Sequence, residues 1–533
     1  MKPNWDSLLD EAALAALLPA GSSHFARPIR DALALFLGGL PESRQASILM
    51  AQAKLPMQAS FSQRLGMLAR GSAVLHKLGQ VLARDQRLPL QLRVHLRELE
   101  SLPPSVPMEA IRETLSAEIG SLDRLGITLE PAMAEASVAV VVPFREGDRS
   151  TGDPSAGDPS PQGVFKVLKP GIEEQLDQEL RLLESVGQYL DNRCDELQIP
   201  HLDYEESFAQ ARDKLLDEIQ LENEQRHLVQ AKEFFADEPC VRIPGLLEHC
   251  SARVTSMERI FGAKVTSHSL DTAGKKRRLA SLIAKALIAK PVFSESDQPL
   301  FHGDPHAGNL LLTDDGRLGI LDWSLAGRLG VRERIAIVQM VLGAVTLDST
   351  RIVAELSQLA DPQRLDSAAL RDVVDKSLRR VRRGRFPGLS WLVGMLDEAV
   401  LSARLRVSPD LMLFRKSLLT LEGVIAEVGE RSGQIDKSLS IEFLRHFAAE
   451  YPLRWIRSPQ SRDFATRISN LDLLQTLGSY PTVVARFWTG HGFDILEACA
   501  KRWESGLQRK KNGTVADESL ANHSETVRSV SQE

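Results

Sequence analysis

The chain has 533 residues, with Lys+Arg 65 against Asp+Glu 71, a net charge of -6, and 43% hydrophobic and 26% charged residues. That is ordinary globular usage in a chain long enough for several domains, able to bury a core without disulfide or metal staples. The mild acidity speaks against a general nucleic-acid binder. The four cysteines, none of them in a C-x-x-C pair, speak against a zinc ribbon or a thioredoxin-type redox centre.

The N-terminal stretch MKPNWDSLLDEAALAALLPAGSS is interrupted by Asp6, Asp10 and Glu11, so it does not read as a secretory signal. No charge-free apolar window approaches the length of about 18 residues that a membrane-spanning helix needs. Residues 1–60 read as a helical region broken by Pro19, Gly21, Gly38 and Pro41, and residues 61–120 as further helices with a turn at Leu88-Pro89 and a stop at Ser101-Leu102-Pro103-Pro104. The period then changes. Ala136–Val142 is a β-branched run bounded by Pro143 and predicts a strand. Residues 146–163, EGDRSTGDPSAGDPSPQG, predict a mobile surface loop, and Gly163–Leu168 predicts a second strand, antiparallel to the first. Residues 172–235 read as mostly helical with a break at Ile199-Pro200, Arg253–Glu258 as a strand, and 274–290 as a helix. Asn309–Leu312, the Thr313–Gly316 turn and Leu318–Leu321 predict a hairpin. Beyond 330 the pattern is helical to about 508, followed by a polar tail over 509–533. The domain boundaries expected are 1–60, 61–120, 121–260 (with the 146–163 insertion), 261–345, 346–508 and 509–533.

Chemistry concentrates in residues 301–328, FHGDPHAGNLLLTDDGRLGILDWSLAGR. Asp304 and Asn309 stand as D-x-x-x-x-N, and Asp322 follows the hairpin. Phosphoryl transfer needs this set: one carboxylate to orient or deprotonate the acceptor hydroxyl, and an amide oxygen with a second carboxylate to hold Mg²⁺. A hairpin between Asn309 and Asp322 brings its two ends together. Two rival readings are a capped turn before a surface hairpin, and a zinc or iron site from His302, Asp304 and His306. Both leave part of the pattern unexplained. Lys166 interrupts the apolar stripe Val164–Leu168, which implies a carboxylate partner. Glu218, Glu222 and Glu224 on the helical segment Leu215–Phe235 are the candidates, and spacing does not choose among them.

Five stretches resemble the UbiB/AarF-type atypical kinases, which are protein-kinase-like proteins linked to ubiquinone biosynthesis and lipid homeostasis. Lys77-Leu78-Gly79-Gln80 is similar to that family's KxGQ helix. Glu130-Pro131 through Ala139 is similar to its alanine-rich nucleotide loop, and Phe165–Gly171 to its lysine strand. His302–Asn309 with Leu321-Asp322 is similar to its catalytic and metal loops, and Pro409–Gly423 to a helix beyond the lobes.

The resemblance implies an α+β, bilobal protein-kinase-like fold with helical N-terminal (KxGQ) and C-terminal extensions. The implied cofactors are ATP and Mg²⁺. Asp304, Lys166, Lys77 and Gln80 are the implied catalytic residues, with Asn309 and Asp322 on the metal. Ala136, Ser137, Lys166, Glu218, Glu224, Met257 and Glu258 are implied around the nucleotide, Met257-Glu258 as the hinge that meets adenine. The KxGQ helix is expected to lie where a protein substrate would, so the acceptor is expected to be a small molecule or an isoprenoid lipid. The chain departs from the family at Glu218-Ile219-Gln220, where a second carboxylate is missing, and at Met133, Glu135 and Val140 in the loop. It departs again at Asp322-Trp323-Ser324, in the D-F-G position.

Asp322-Trp323 with His302–Asp304 also resembles aminoglycoside- and choline-type phosphotransferases, and the altered motifs admit a nucleotide-binding pseudokinase scaffold. Two basic clusters, Lys275–Arg278 and Arg379–Arg385, fit anionic lipid or plain solvated helix ends. The expected setting is cytoplasmic, peripheral to the inner membrane, with no nucleic-acid partner and with room for a homo-oligomer.

Overall fold

The computed structural model describes residues 5, 8–19, 21–83, 90–97, 106–147, 162–201, 203–267, 272–429 and 434–484. Most of the expected 146–163 loop, the Leu88-Pro89 turn, the Ser101–Pro104 stop and everything from 485 onward lie outside these residues. Contacts divide the chain into two compact units, one of residues 1–269 with 304–326 and one of residues 270–303 with 327–533.

The first unit begins with short helices whose starts are written in the sequence. Asp10 accepts the Ala12 N–H at 2.9 Å and caps helix Glu11–Leu17, while Ser60 and Gln63 form a reciprocal capping box on helix Phe61–Arg70. Leu37, Ile48, Leu68 and Val74 from this region bury themselves against Leu176, Leu180 and Leu183 of the long helix Ile172–Asp191. Burying such side chains is worth about 1.5–3 kcal/mol each relative to exposure.

The main sheet has β1 (Ile127–Leu129), β2 (Ala134–Glu135), β3 (Ala139–Glu146), β4 (Gln162–Leu168) and β6 (Val254–Glu258). Its order is β1-β3-β4-β6, with β2 also on β3, and every pairing is antiparallel. One face packs Phe165, Val167, Val140 and Val142 onto Ile111 and Leu115 of helix Met108–Ile119. β4 therefore reads as a continuous buried run rather than an alternating one.

β3 begins three residues later than the β-branched run suggests and continues through Pro143. The proline accepts the Glu130 N–H at 2.8 Å just past the last β1 pair, so its missing N–H forfeits no bond within the β1 pairing. A second sheet, of order β5-β10-β9-β7, joins β5 (Val241–Arg242), β7 (Gly262–Lys264), β9 (Leu310–Thr313) and β10 (Leu318–Ile320). The expected hairpin is β9–β10.

The expected unbroken helix Leu215–Phe235 is instead two helices, Tyr204–Glu218 and Leu221–Phe234. Gln220, at φ -88° and ψ 77°, leaves helical geometry between them. Six residues apart on one helix, Glu218 and Glu224 would point about 120° apart around the axis. The break lets both belong to one site.

The second unit is mainly helical. Helix Ala273–Ala284 runs on through a π turn, Lys285–Ala289, and packs against helix Pro409–Gly429. Phe301 meets Phe414 edge-on at 5.2 Å, and Ser417 Oγ donates to the His302 carbonyl at 2.8 Å.

Candidate active site

All the residues that converge belong to the first unit. Lys166 leaves the middle of β4, opposite Val141 on β3 and Thr255 on β6, and is 8% exposed. An ammonium buried there needs countercharge. Its Nζ lies 2.9 and 2.8 Å from the two carboxylate oxygens of Glu224, and 3.0 Å from Asp322 Oδ1. Glu224, not Glu218 or Glu222, is thus the helix partner.

Gln225 fixes the Glu224 helix to the sheet, its Nε2 donating to the Ser251 and Val254 carbonyls and to Thr255 Oγ1 at 2.9, 3.1 and 3.2 Å. His227, one turn on, places Nδ1 3.1 Å from the Trp323 carbonyl and ties the same helix to the segment that carries Asp322. No spacing pattern marks either residue in the sequence.

Asp322 adopts φ 51°, a left-handed conformation that an aspartate tolerates better than most side chains. Its Oδ1 accepts the Ser324 N–H at 3.3 Å, closing the turn from the side-chain end. The Trp323-Ser324 departure gains a packing reason: Trp323 is fully buried, near Phe235, and its indole N–H reaches the Ile320 carbonyl at 3.4 Å.

At the other end of the hairpin, Asn309 Nδ2 donates to the Asp304 carbonyl at 3.1 Å. The Asn309 carbonyl accepts the Leu321 N–H at 2.8 Å, so Asn309 and Asp322 flank one pair of strands as expected. His306 Nδ1 accepts the Gly308 N–H at 3.0 Å and holds the loop. Among the described residues, no three His, Cys, Asp or Glu side chains are grouped to hold a metal, which leaves the rival zinc or iron site without support.

Lys77, in helix Ala73–Ala83, pairs with Glu218, the last residue of its helix. Burial disfavours the Lys77 charge, but Glu218 and Asp304, with a smaller part from Asp322, outweigh it and raise the pKa above its ordinary value. Gln80 lies in the same helix, and its side chain lies outside the described residues. Burial likewise disfavours the Lys166 charge, and Asp322 and Glu224 more than compensate. Burial pushes Glu224 up to about 7, with Lys166 opposing the rise and Asp322 adding to it. The contacts of Lys166 with oxygens on two carboxylates favour a charged lysine.

The alanine-rich loop is a tight turn, with the Ala136 N–H on the Ala139 carbonyl at 2.8 Å and Ser137 buried. Glu135, a departure in the sequence, is paired with Lys169 at 2.8 Å, and the Lys169 N–H donates to the Val138 carbonyl at 2.9 Å, so the turn is clipped to the end of β4. Met257 lies opposite Val164. Glu258 has both its N–H (2.8 Å to the Gly245 carbonyl) and its carboxylate (on Arg242) engaged within the protein.

Among the described residues, four carboxylates, Glu218, Glu224, Asp304 and Asp322, act electrostatically on two ammoniums, Lys77 and Lys166. One or two of these carboxylates, with an amide beside them, make a hard-oxygen set that fits a divalent cation carrying phosphates.

Residues 158–356 match the ABC1 atypical kinase-like domain. A chloroplastic aarF domain-containing protein kinase of Arabidopsis thaliana is 28% identical over 359 residues, covering 65% of this chain and 61% of that protein. The probable protein kinase UbiB of Marinobacter nauticus is 27% identical over 369 residues, covering 66% and 63%. The chain thus spans less than two thirds of the length of these relatives. The solved Rv3197–erythromycin complex of Mycobacterium tuberculosis aligns with TM-score 0.43 and 16% identity, over 73% of this chain and 95% of that one. The domain match and the kinase-named relatives agree with the α+β topology: residues 158–356 carry an ABC1 atypical kinase-like domain, and the chain is similar to aarF-domain and UbiB kinases.

Proposed function

We propose that the chain binds a Mg²⁺–nucleotide, ATP as the donor, and acts as a phosphotransferase or ATPase on a small-molecule or isoprenoid-lipid acceptor in quinone or lipid metabolism, not on proteins. The observation that carries the reading is Lys166, held within 3.0 Å of both Glu224 and Asp322. A structural ion pair needs one carboxylate. A lysine that must release one partner to phosphate needs the second to keep its place.

Bound ATP would supply the phosphoryl group, and its Mg²⁺ would neutralise the phosphate oxygens. Lys166 then orients the phosphates, with Glu224 holding its position. Asp322 and the Asn309 amide oxygen would hold the ion. Asp304 takes the proton of the acceptor hydroxyl as its oxygen bonds to the terminal phosphorus, and the bond from that phosphorus to the departing nucleoside diphosphate breaks. Lys77 lies within electrostatic reach of both Asp304 and Asp322, which supports a helix that restricts what approaches them. This family-specific helix also favours the reading over an aminoglycoside- or choline-kinase type.

No helix among the described residues is long and apolar enough to cross a membrane. The last turn of helix Ser367–Arg382 carries Arg379, Arg380 and Arg382, with Arg383 and Arg385 just beyond it. This supports a cytoplasmic protein in peripheral contact with an anionic inner-membrane surface.

The test is Asp322→Asn. Mg²⁺-dependent nucleotide affinity should fall about tenfold or more, since an amide replaces the charged ligand. A folded variant with wild-type Mg²⁺–nucleotide affinity and turnover contradicts the reading.

A further inference from the structure

Glu179 has no exposed surface and takes no part in the site just described. It stands mid-way along helix Ile172–Asp191 and points into the junction before the helix that carries Lys77. Its Oε2 accepts Ser72 Oγ at 2.8 Å and the Val74 N–H at 2.9 Å, while Ser72 Oγ itself accepts the Leu75 N–H at 3.1 Å. Two first-turn N–H groups of helix Ala73–Ala83 are therefore satisfied from one buried carboxylate and the serine it holds. Its countercharge is Arg44, 2.5 Å away on helix Glu42–Ala53, and Arg44 also donates to the Gly71 carbonyl at 2.9 Å.

Stability alone does not call for these residue types. A buried ion pair is often no more stabilising than apolar side chains of the same volume, whereas its bonds are directional. Here they fix the rotation and register of a short helix at Val74, three residues before Lys77. A slip of one residue would turn Lys77 by about 100°. The pairing with Glu218 and the reach to Asp304 both depend on that rotation.

We infer that Glu179, with Arg44 as its countercharge, is the positioning residue that sets the Lys77 helix over the catalytic carboxylates, and so sets how nucleotide and acceptor reach them. The inference rests on the nucleotide-site reading above only for its functional consequence. The placement of the helix is testable by itself.

The experiment uses the full chain as wild type, Glu179→Gln, Lys77→Ala, the double variant and Ser72→Ala, which removes one contact without stranding a charge. Amide exchange is followed by mass spectrometry, and Mg·ADP affinity with a fluorescent analogue. Glu179→Gln should speed exchange at residues 74–77 while β3 and β4 stay protected. It should also shift Mg·ADP affinity in the same direction as Lys77→Ala, by about threefold or more, with little further change in the double variant, as expected for groups acting through one network. Unchanged exchange at 74–77, or additive effects in the double variant, overturns the inference. If Glu179→Gln does not fold, Ser72→Ala reads the same exchange. If wild type binds no Mg·ADP, the nucleotide reading fails, and exchange alone decides: selective loss of protection at 74–77 upholds the placement, and uniform loss or none overturns it.

Discussion

Around Asp472, Arg462 approaches with two bonds of 2.9 and 3.0 Å, Arg351 with one of 3.2 Å, and Ser469 gives its N–H and hydroxyl at 2.9 and 2.7 Å. Around Lys166 the count runs the other way, with two carboxylates on one ammonium and more acid nearby. Both networks bury charge, and they differ in balance. Burial pushes the Asp472 carboxyl up, but Arg462 and Ser469 outweigh it and hold it well below the usual carboxylate range. Glu224 moves the other way, and Asp322 keeps 38% of its side chain open to solvent. The closed network has every acceptor met and reads as scaffold. Among the described residues, the open one has more acid than base and leaves Asp322 at the edge of solvent, where an arriving cation would relieve it.

The comparison breaks first at the open network. Lys166→Met should cut nucleotide turnover about hundredfold or more, in line with removing one electrostatic contact to the transition state. Thermal unfolding of the same variant should show no comparable collapse, because Glu224 can take a proton and Asp322 meets solvent. A variant that loses its fold but keeps turnover per folded molecule would reverse the assignment of the two networks.

At the closed network the expectation inverts. Asp472→Ala leaves two guanidiniums facing each other and should cost about 3 kcal/mol of stability by chemical denaturation. Nucleotide affinity of the folded fraction should stay at the wild-type value. A fall in affinity without a fall in stability would mean that Asp472 is not the scaffold group described here.

Lys77→Ala probes the rim of the open network, where one cation meets Glu218 and senses Asp304. Mg·nucleotide affinity should change by about threefold to tenfold, with self-phosphorylation changing alongside it. Binding assays with mass spectrometry check both, and no change in either would return Lys77 to an ordinary surface pair.

A further effect is a matter of pH. The folded-state value of Glu224, about 7, lies above its ordinary 4.5, so the folded protein holds the extra proton between those values. Stability then falls as pH rises from about 4.5 to about 7. Glu224→Gln removes this titration, so the stability of wild type relative to the variant should decline across that window. A constant difference would show that Glu224 is not raised.

The open network was largely legible in the sequence. A lysine in an apolar strand and a D-x-x-x-x-N before a hairpin ending in Asp322 constrain one another through backbone geometry. The choice among Glu218, Glu222 and Glu224 was not, because the helix breaks at Gln220 with neither proline nor glycine to announce it. Pro143 misled for the opposite reason, since it sits just past the end of β1 on one side while its pairing with Val164 of β4 continues on the other. Glu179 and Ser72 are 107 residues apart and meet only once the helices pack, so no local pattern could have joined them. The same holds for Arg351 and Asp472, 121 residues apart.

In the proposed function, the carboxylates around Lys166 and Lys77, with the Asn309 amide, receive a metal-bound nucleotide. Calorimetric titration of the wild-type chain with ADP and with ATP, each with Mg²⁺ and again with chelator, tests it most directly. The account predicts saturable binding with Mg²⁺ and weakening of about tenfold or more without it. Binding of equal strength with and without the metal, or no binding of either nucleotide, would contradict it.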